Sequence, residues 1–277
     1  MGLILNELNK IFSRPRSYIG FVVSLLITSL VTFGIYLEGT TIVQIALDSL
    51  SDSFGFEGNI INGNLSTFLL YNSFIIHVPI LISLVAGDVI SGENSSGTIR
   101  MLITKPVSRS SLYWSKFFAA IIYTLSLILF FIGSSYLLGI ILLGEGDLIV
   151  IRNGINVIPS NDIPWRFGLA AVYTSISMVV VSSIAVCLSA FAKNSLGPIV
   201  GTVAILIALN IICTVGFSLL EPFLPYLFNV HFVKWQNFFE NTIDKSTMLF
   251  SAFIQLFYIV TFALIGYYKF KFKDVLD

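Results

Sequence analysis

Charge is scarce in this chain. Of its 277 residues, 11% are Asp, Glu, Lys or Arg, while 56% are hydrophobic and the mean hydropathy is +0.92. That balance excludes an ordinary soluble domain and indicates an integral membrane protein. Fifteen Lys+Arg offset fifteen Asp+Glu, so no basic surplus supports nucleic-acid binding. Cysteine is nearly absent: Cys187 and Cys213 both fall inside apolar runs, where neither a disulfide framework nor a metal-ligand spacing is readable, and both read as small buried hydrophobes. Histidine is equally rare. A membrane-embedded enzyme needs paired histidines on one helix face, or Ser or Cys beside a base, and the only histidines are His77 and His231. No Gly-Lys pair occurs, so the phosphate-binding glycine loop of an ATP-driven motor is missing from this chain.

Long apolar runs are what it has instead. Six, each of about 20 residues or more, cover 18–37, 68–87, 117–143, 167–192, 195–220 and 247–268. Helices satisfy their own backbone groups within the bilayer, so the pattern predicts six transmembrane helices and an all-α membrane fold in a single domain. The first run is too long for a signal-peptide core and lacks a small-residue cleavage site after it, which predicts an uncleaved span. Asn6 stands where a myristoylation signal at Gly2 needs Ser or Thr.

Basic residues sort strongly between alternate loops. Lys10, Arg14, Arg16, Arg100, Lys105, Arg109, Lys116, Lys193, Lys269, Lys271 and Lys273 fall on one side, and only Arg152, Arg166, Lys234 and Lys245 on the other. The positive-inside rule therefore predicts both termini in the cytoplasm of a cell-membrane protein. Of the glycosylation patterns at Asn64 and Asn94, only the first lies outside by this topology. The external loops are long, about 30, 23 and 26 residues. The last, 221–246, holds seven aromatics between Phe223 and Phe239, readable as an interfacial aromatic belt or as a substrate gate.

Residues 1–16 place Ile4, Leu8, Ile11 and Phe12 on one helical face, with Asn6, Glu7, Asn9 and Lys10 largely elsewhere. This predicts an amphipathic interfacial helix ending near Arg14-Pro15, serving as an anchor or as a partner-binding surface. Between the second and third spans, Asp88 and Glu93 flank the helix exit, Gly92 and Gly97 permit sharp turns, and Thr98 is a candidate cap for a short helix through Ile99, Arg100, Met101, Leu102 and Ile103, which Pro106 ends. Such an elbow, spanning 91–112, either docks a partner through its small apolar face or is a plain interfacial turn whose cations enforce topology.

The run of Glu93, Gly97-Thr98, the apolar cluster Ile99, Met101, Leu102 and Ile103, then Pro106, Ser108-Arg109 and Lys116 resembles the signature of ABC-2-type permeases, the membrane subunits of type V-like ABC exporters, and within them the short six-helix permeases of the copper-enzyme-maturation group. The motif covers about 25 residues; length, helix count, the amino-terminal helix and the bulky last loop match over nearly the whole chain. The resemblance implies a coupling helix that docks in a groove of a separate ATPase subunit, with Glu93, Gly97, Thr98, Arg100, Met101 and Leu102 as docking residues and Pro106 and Arg109 at its exit. It implies a second cytoplasmic contact at 191–198, through Lys193 and Asn194. It further implies a homodimer of this permease flanked by two ATPase copies, with ATP and Mg bound on the ATPase and no cofactor on this chain. By the run boundaries no charged residue lies inside a span, which argues against a proton-coupled carrier. His77, Asn210 and Gln255 are the strongest mid-span polar groups, and either line a translocation path or bond across helix interfaces. A path without fixed charge suits an apolar or amphipathic cargo. The alternative to the exporter is a channel or secondary carrier working without an ATPase.

Overall fold

The computed structural model describes residues 2–47, 61–98, 107–151, 155–215 and 222–272. Helix α1 (Gly2–Phe12) stops before Pro15, which opens α2 (Pro15–Leu47) at the one helical position where a missing N–H is harmless. Helix α3 (Gly63–Ala86) returns through the bundle and passes at Gly87 into a short α4 (Asp88–Ser95). Then follow α5 (Arg109–Leu143), an antiparallel hairpin of β1 (Leu148–Ile151) and β2 (Ile155–Ile158), α6 (Ile163–Phe191), α7 (Leu196–Val215), three 3-10 turns at Leu224–Tyr226, Phe228–His231 and Lys234–Phe239, and α8 (Lys245–Lys271). Six helices, α2, α3, α5, α6, α7 and α8, are long and apolar enough to cross a membrane, and the protein is a multi-pass helical membrane protein.

Burial separates the centre of the bundle from its rim. In α6, 72% of the most apolar window is buried, against 17% in α7, so α6 is the central post. Its buried face carries Ser177, Ser182, Ser183, Ala185, Ser189 and Ala190, small residues that let neighbouring helices approach closely. A comparable approach joins α3 to α5: a Cβ on Gly63 would stand 2.4 Å from the backbone of Gly139, so neither position tolerates a side chain. Ser135 and Gly139, four residues apart on α5, thus form a small-residue step that packs against α3; the Ser135 carbonyl also accepts from Thr67, at 3.3 Å.

Three sequence expectations change. The third span starts at Arg109, not 117, which carries Lys116 two turns into α5 and places a charge inside a helix read as free of it. Glu7 lies one helical turn before Ile11 and shares its buried face instead of the polar one. Asn64 is 2% exposed, with Nδ2 donating to the Gly146 carbonyl at 2.7 Å, so the glycosylation pattern expected on the outer side is closed to modification. The hairpin in 144–166 was also not foreseen. Its Leu148, Val150 and Ile158 turn into an apolar cluster with Tyr71, Phe167 and Trp235, while Val157 faces out.

Candidate functional site

At the end of the bundle that holds α1 and α4, four charged side chains close a ring. The Lys116 ammonium, fully buried, lies 2.8 Å from Glu7 and 2.7 Å from Glu93. Lys10 meets the remaining oxygens of the same two carboxylates at 2.7 and 3.0 Å. Each cation thus bridges both anions, and the ring joins α1, α4 and α5. Burial by itself raises the Glu7 carboxyl, but the ammoniums of Lys116 and Lys10 outweigh it and hold Glu7 below the usual range. For Lys10 burial works downward, and its bonds to Glu7 and Glu93 carry it above its ordinary value. Glu7 and Lys10 are therefore ionised throughout the neutral range.

A second ionic group sits one turn away. The Asp88 carboxylate receives Arg14 at 2.6 Å and Arg16 at 2.7 Å, and Ser195, just before α7, donates to it as well. Neutral contacts complete the anchoring of α4. The Ser189 hydroxyl of α6 accepts from the backbone N–H groups of Ile90 and Ser91, at 3.2 and 2.8 Å, and Asn94 donates to the Ala192 carbonyl at 3.0 Å. The short helix is thereby tied to α1, α2, α5, α6 and the start of α7.

Of the residues assigned to docking, Glu93 is 4% exposed and belongs to the buried ring, so it is not presented as a surface contact. Gly97 lies just beyond α4 with φ of 70°, a left-handed conformation that favours glycine, and open space surrounds the position of a Cβ. The Thr98 hydroxyl bonds Ser96 at 2.9 Å and reaches the Glu93 carbonyl at 3.4 Å, and the helix it was read to cap, 99–103, lies outside the described residues. Arg109 begins α5 and donates to the Lys271 carbonyl at 3.1 Å. Arg100, Met101, Leu102 and Pro106 lie outside the described residues. Lys193 and Asn194 are exposed, and Asn194 caps the start of α7 by accepting from the Gly197 N–H at 3.1 Å.

The three mid-span polar residues separate into two kinds. Gln255 is fully buried and spent within the subunit: its carbonyl accepts from Ser177 at 3.0 Å and its amide donates to Tyr173 at 3.1 Å. His77 donates Nδ1–H to the Ser73 carbonyl at 2.8 Å, within its own turn of α3, while Nε2 has no hydrogen-bond partner among the described residues. Asn210 is exposed on the subunit surface. Among the described residues no group of three or more His, Cys, Asp or Glu is placed to hold a metal ion.

The ring itself was missed from sequence. Glu7 and Lys10 stand three residues apart, and Glu93 and Lys116 flank the elbow, but nothing in linear spacing says that these two pairs meet. The available signal was a lone acid in an otherwise apolar helical face, which needs a cation once buried.

These features define a six-span helical membrane protein whose short connecting segments are fixed by buried charge. Residues 39–276 match the family described as "Protein of unknown function (DUF2705)", and the chain belongs to that family. It is also similar to the "Uncharacterized protein YhcI" of Bacillus subtilis (strain 168), 26% identical over 212 residues. That match covers 73% of this chain and 66% of the relative's length. The family match starts within α2, so Asp88, Glu93 and Lys116 lie inside it and Glu7, Lys10, Arg14 and Arg16 before it.

Proposed function

We propose that this chain is the membrane-spanning permease subunit of an ATP-binding cassette exporter, pairing with a second copy and driven by a separate ATPase that docks on the segment following α4. One observation carries the reading: α4 continues a membrane helix past its end and is bound by buried charge to α1 and α5 and by hydrogen bonds to α6. A push delivered to the segment after Gly97 is then passed to several membrane helices together, because a rigid anchor does not absorb it locally. The resemblance of 93–116 to the coupling elbow of ABC-2 permeases supports the same reading. One further feature favours a shared path over a closed bundle. The exposed Asn210 is a polar group that lipid does not satisfy, and it suits a second subunit or a passage.

In this reading ATP and Mg bind the partner ATPase. Closure of the two ATPases on ATP moves the elbows, and the membrane helices pass from one access state to the other because the docked partner holds the two states differently. The cargo class that suits a path without charged residues is apolar or amphipathic.

The test is affinity purification of the chain from its native membrane, with co-purifying proteins identified, for wild type and Gly97→Trp. Space around Gly97 is open, so the substitution acts through its backbone conformation and re-aims the following segment without a core clash. The expected result is a stoichiometric ATPase in wild type that is lost or strongly reduced in the variant. An isolated chain that transports without any ATPase overturns the proposal in favour of a channel or secondary carrier.

A further inference from the structure

We infer that the corner between α1 and α2 is a binding site for the headgroup phosphate of an anionic phospholipid, held by Arg14 and Arg16. The first support is charge. Lys10, Lys116, Arg14 and Arg16 stand against Glu7, Asp88 and Glu93, four cations to three carboxylates, and the surplus falls on the two arginines that share Asp88. Asp88 is 3% exposed, whereas the side chains of Arg14 and Arg16 are 41% and 42% exposed. Each guanidinium carries five N–H donors in a planar fork, and the single Asp88 carboxylate leaves donors of both aimed at the surface. Pro15, between them, fixes the corner and opens α2, whose amino-terminal dipole adds to the positive field there.

The second support is position, and it selects a lipid over a free anion. One turn beyond Arg16 begins an exposed apolar stripe on α2, Ile19, Val22, Leu26 and Leu30, which runs along a helix long enough to cross the bilayer. Leu3 and Leu5 of α1 are exposed as well. A phosphate on the arginines thus has acyl-chain surface directly below it. Such a headgroup sits on the reverse side of the carboxylate that binds α2 to α4. An occupied site relieves the repulsion between the two guanidiniums.

The full chain is reconstituted in nanodiscs of phosphatidylcholine with and without phosphatidylglycerol, and bound lipids are counted by native mass spectrometry after release. Wild type retains phosphatidylglycerol about fivefold over phosphatidylcholine, the preference expected for one net basic residue at an anionic surface. Arg16→Gln brings this near parity, and Arg16→Lys keeps most of it. Unchanged preference in Arg16→Gln overturns the site. Inorganic phosphate added to phosphatidylcholine discs gives no stabilisation against heat; stabilisation equal to that from phosphatidylglycerol assigns the corner to a free anion and overturns the lipid. Should Arg16→Gln fail to fold, photoactivatable phosphatidylglycerol on wild type decides the matter: adducts concentrate within 14–30 if the site is there, and elsewhere if it is not.

Discussion

The two ends of this bundle are held together by different physics. At the end carrying α1 and α4, the contacts that matter are between full charges, Lys116 and Lys10 with Glu7 and Glu93, and Arg14 and Arg16 with Asp88. At the other end, a cap of three 3-10 turns packs Trp235, Phe238 and Phe239 against Tyr71 and Phe167, with Phe167 and Phe239 ring centres 4.9 Å apart. Its polar contacts are mostly neutral. His231, fully buried, donates from Nε2 to the Pro225 carbonyl at 2.9 Å and accepts at Nδ1 from Ser251 at 3.0 Å, and its own carbonyl accepts from Tyr173 at 3.0 Å. Arg166 is the exception, donating to the carbonyls of Phe238 and Glu240 at 2.7 and 2.8 Å. Apolar area and neutral hydrogen bonds favour one arrangement. Buried ion rings favour whichever arrangement keeps every charge paired, and they fail abruptly when one does not. The charged end thus depends on every charge keeping its partner, and the aromatic end on packed area.

Removing a single charge gives the largest effect. Lys116→Met leaves Glu7 and Glu93 buried with only Lys10 between them, and is expected to cost about 3–5 kcal/mol in stability. Replacing the carboxylates as well, Glu7→Gln with Glu93→Gln, recovers much of that loss, because no buried charge is then stranded. Equilibrium unfolding in bicelles on this cycle separates ionic from packing contributions. If Lys116→Met alone is nearly neutral, the contrast between the ends collapses.

At the aromatic end the matching change is Trp235→Ala, expected to cost about 3 kcal/mol through lost area and the void left behind. No companion substitution rescues it except one that refills the volume. That is the operational difference between the ends: charge loss is repaired by removing more charge, and area loss only by restoring area. Tyr173→Phe is smaller, about 1–2 kcal/mol, since it deprives the His231 carbonyl and the Gln255 amide of one shared partner.

How far the sequence carried this picture follows the same divide. The six spanning helices were legible because each is declared by its own apolar run, a local property. The ring was not, because its members come from three elements and its signal is a tertiary coincidence: Lys116 read as a topology cation and Glu93 as a docking acid, and each is a partner of the other at 2.7 Å. The hairpin was hidden for a related reason. Leu148–Ile151 and Ile155–Ile158 are four residues each and almost wholly apolar, with no period-two alternation to mark them as strands, and the hairpin is fixed by what receives it, the amino terminus of α3, where Asn62 and Asn64 donate to the carbonyls of Asp147 and Gly146. Gln255 shows the limit from the other side: its position at mid-span was plain, but whether it faced a path or a neighbour depended on Ser177 and Tyr173 of another helix.

Acid gives the smallest effect, one group at a time, and puts the two ends in an order opposite to intuition. Burial, partly countered by the Pro225 carbonyl and reinforced by Lys234, holds His231 below its ordinary 6.5. A histidine whose folded value is lowered contributes stability above 6.5, and that contribution fades as pH falls below it, since the unfolded chain takes up the proton first. Glu7 is lowered as well, from 4.5, so its contribution is complete above that value and is lost only as pH falls further, through its depressed folded value. Lys10, raised from 10.5, loses its contribution only in strong base. On acidification from pH 7 the aromatic cap therefore loosens before the ionic ring. Hydrogen exchange followed stepwise from pH 7 to 3, corrected for intrinsic rates, is expected to show protection falling first in 225–240 and later in 2–12 and 88–95. His231→Gln removes the early phase and leaves the late one. An early phase that survives in His231→Gln, or a ring that opens before the cap, shows that the proton acts on some other group.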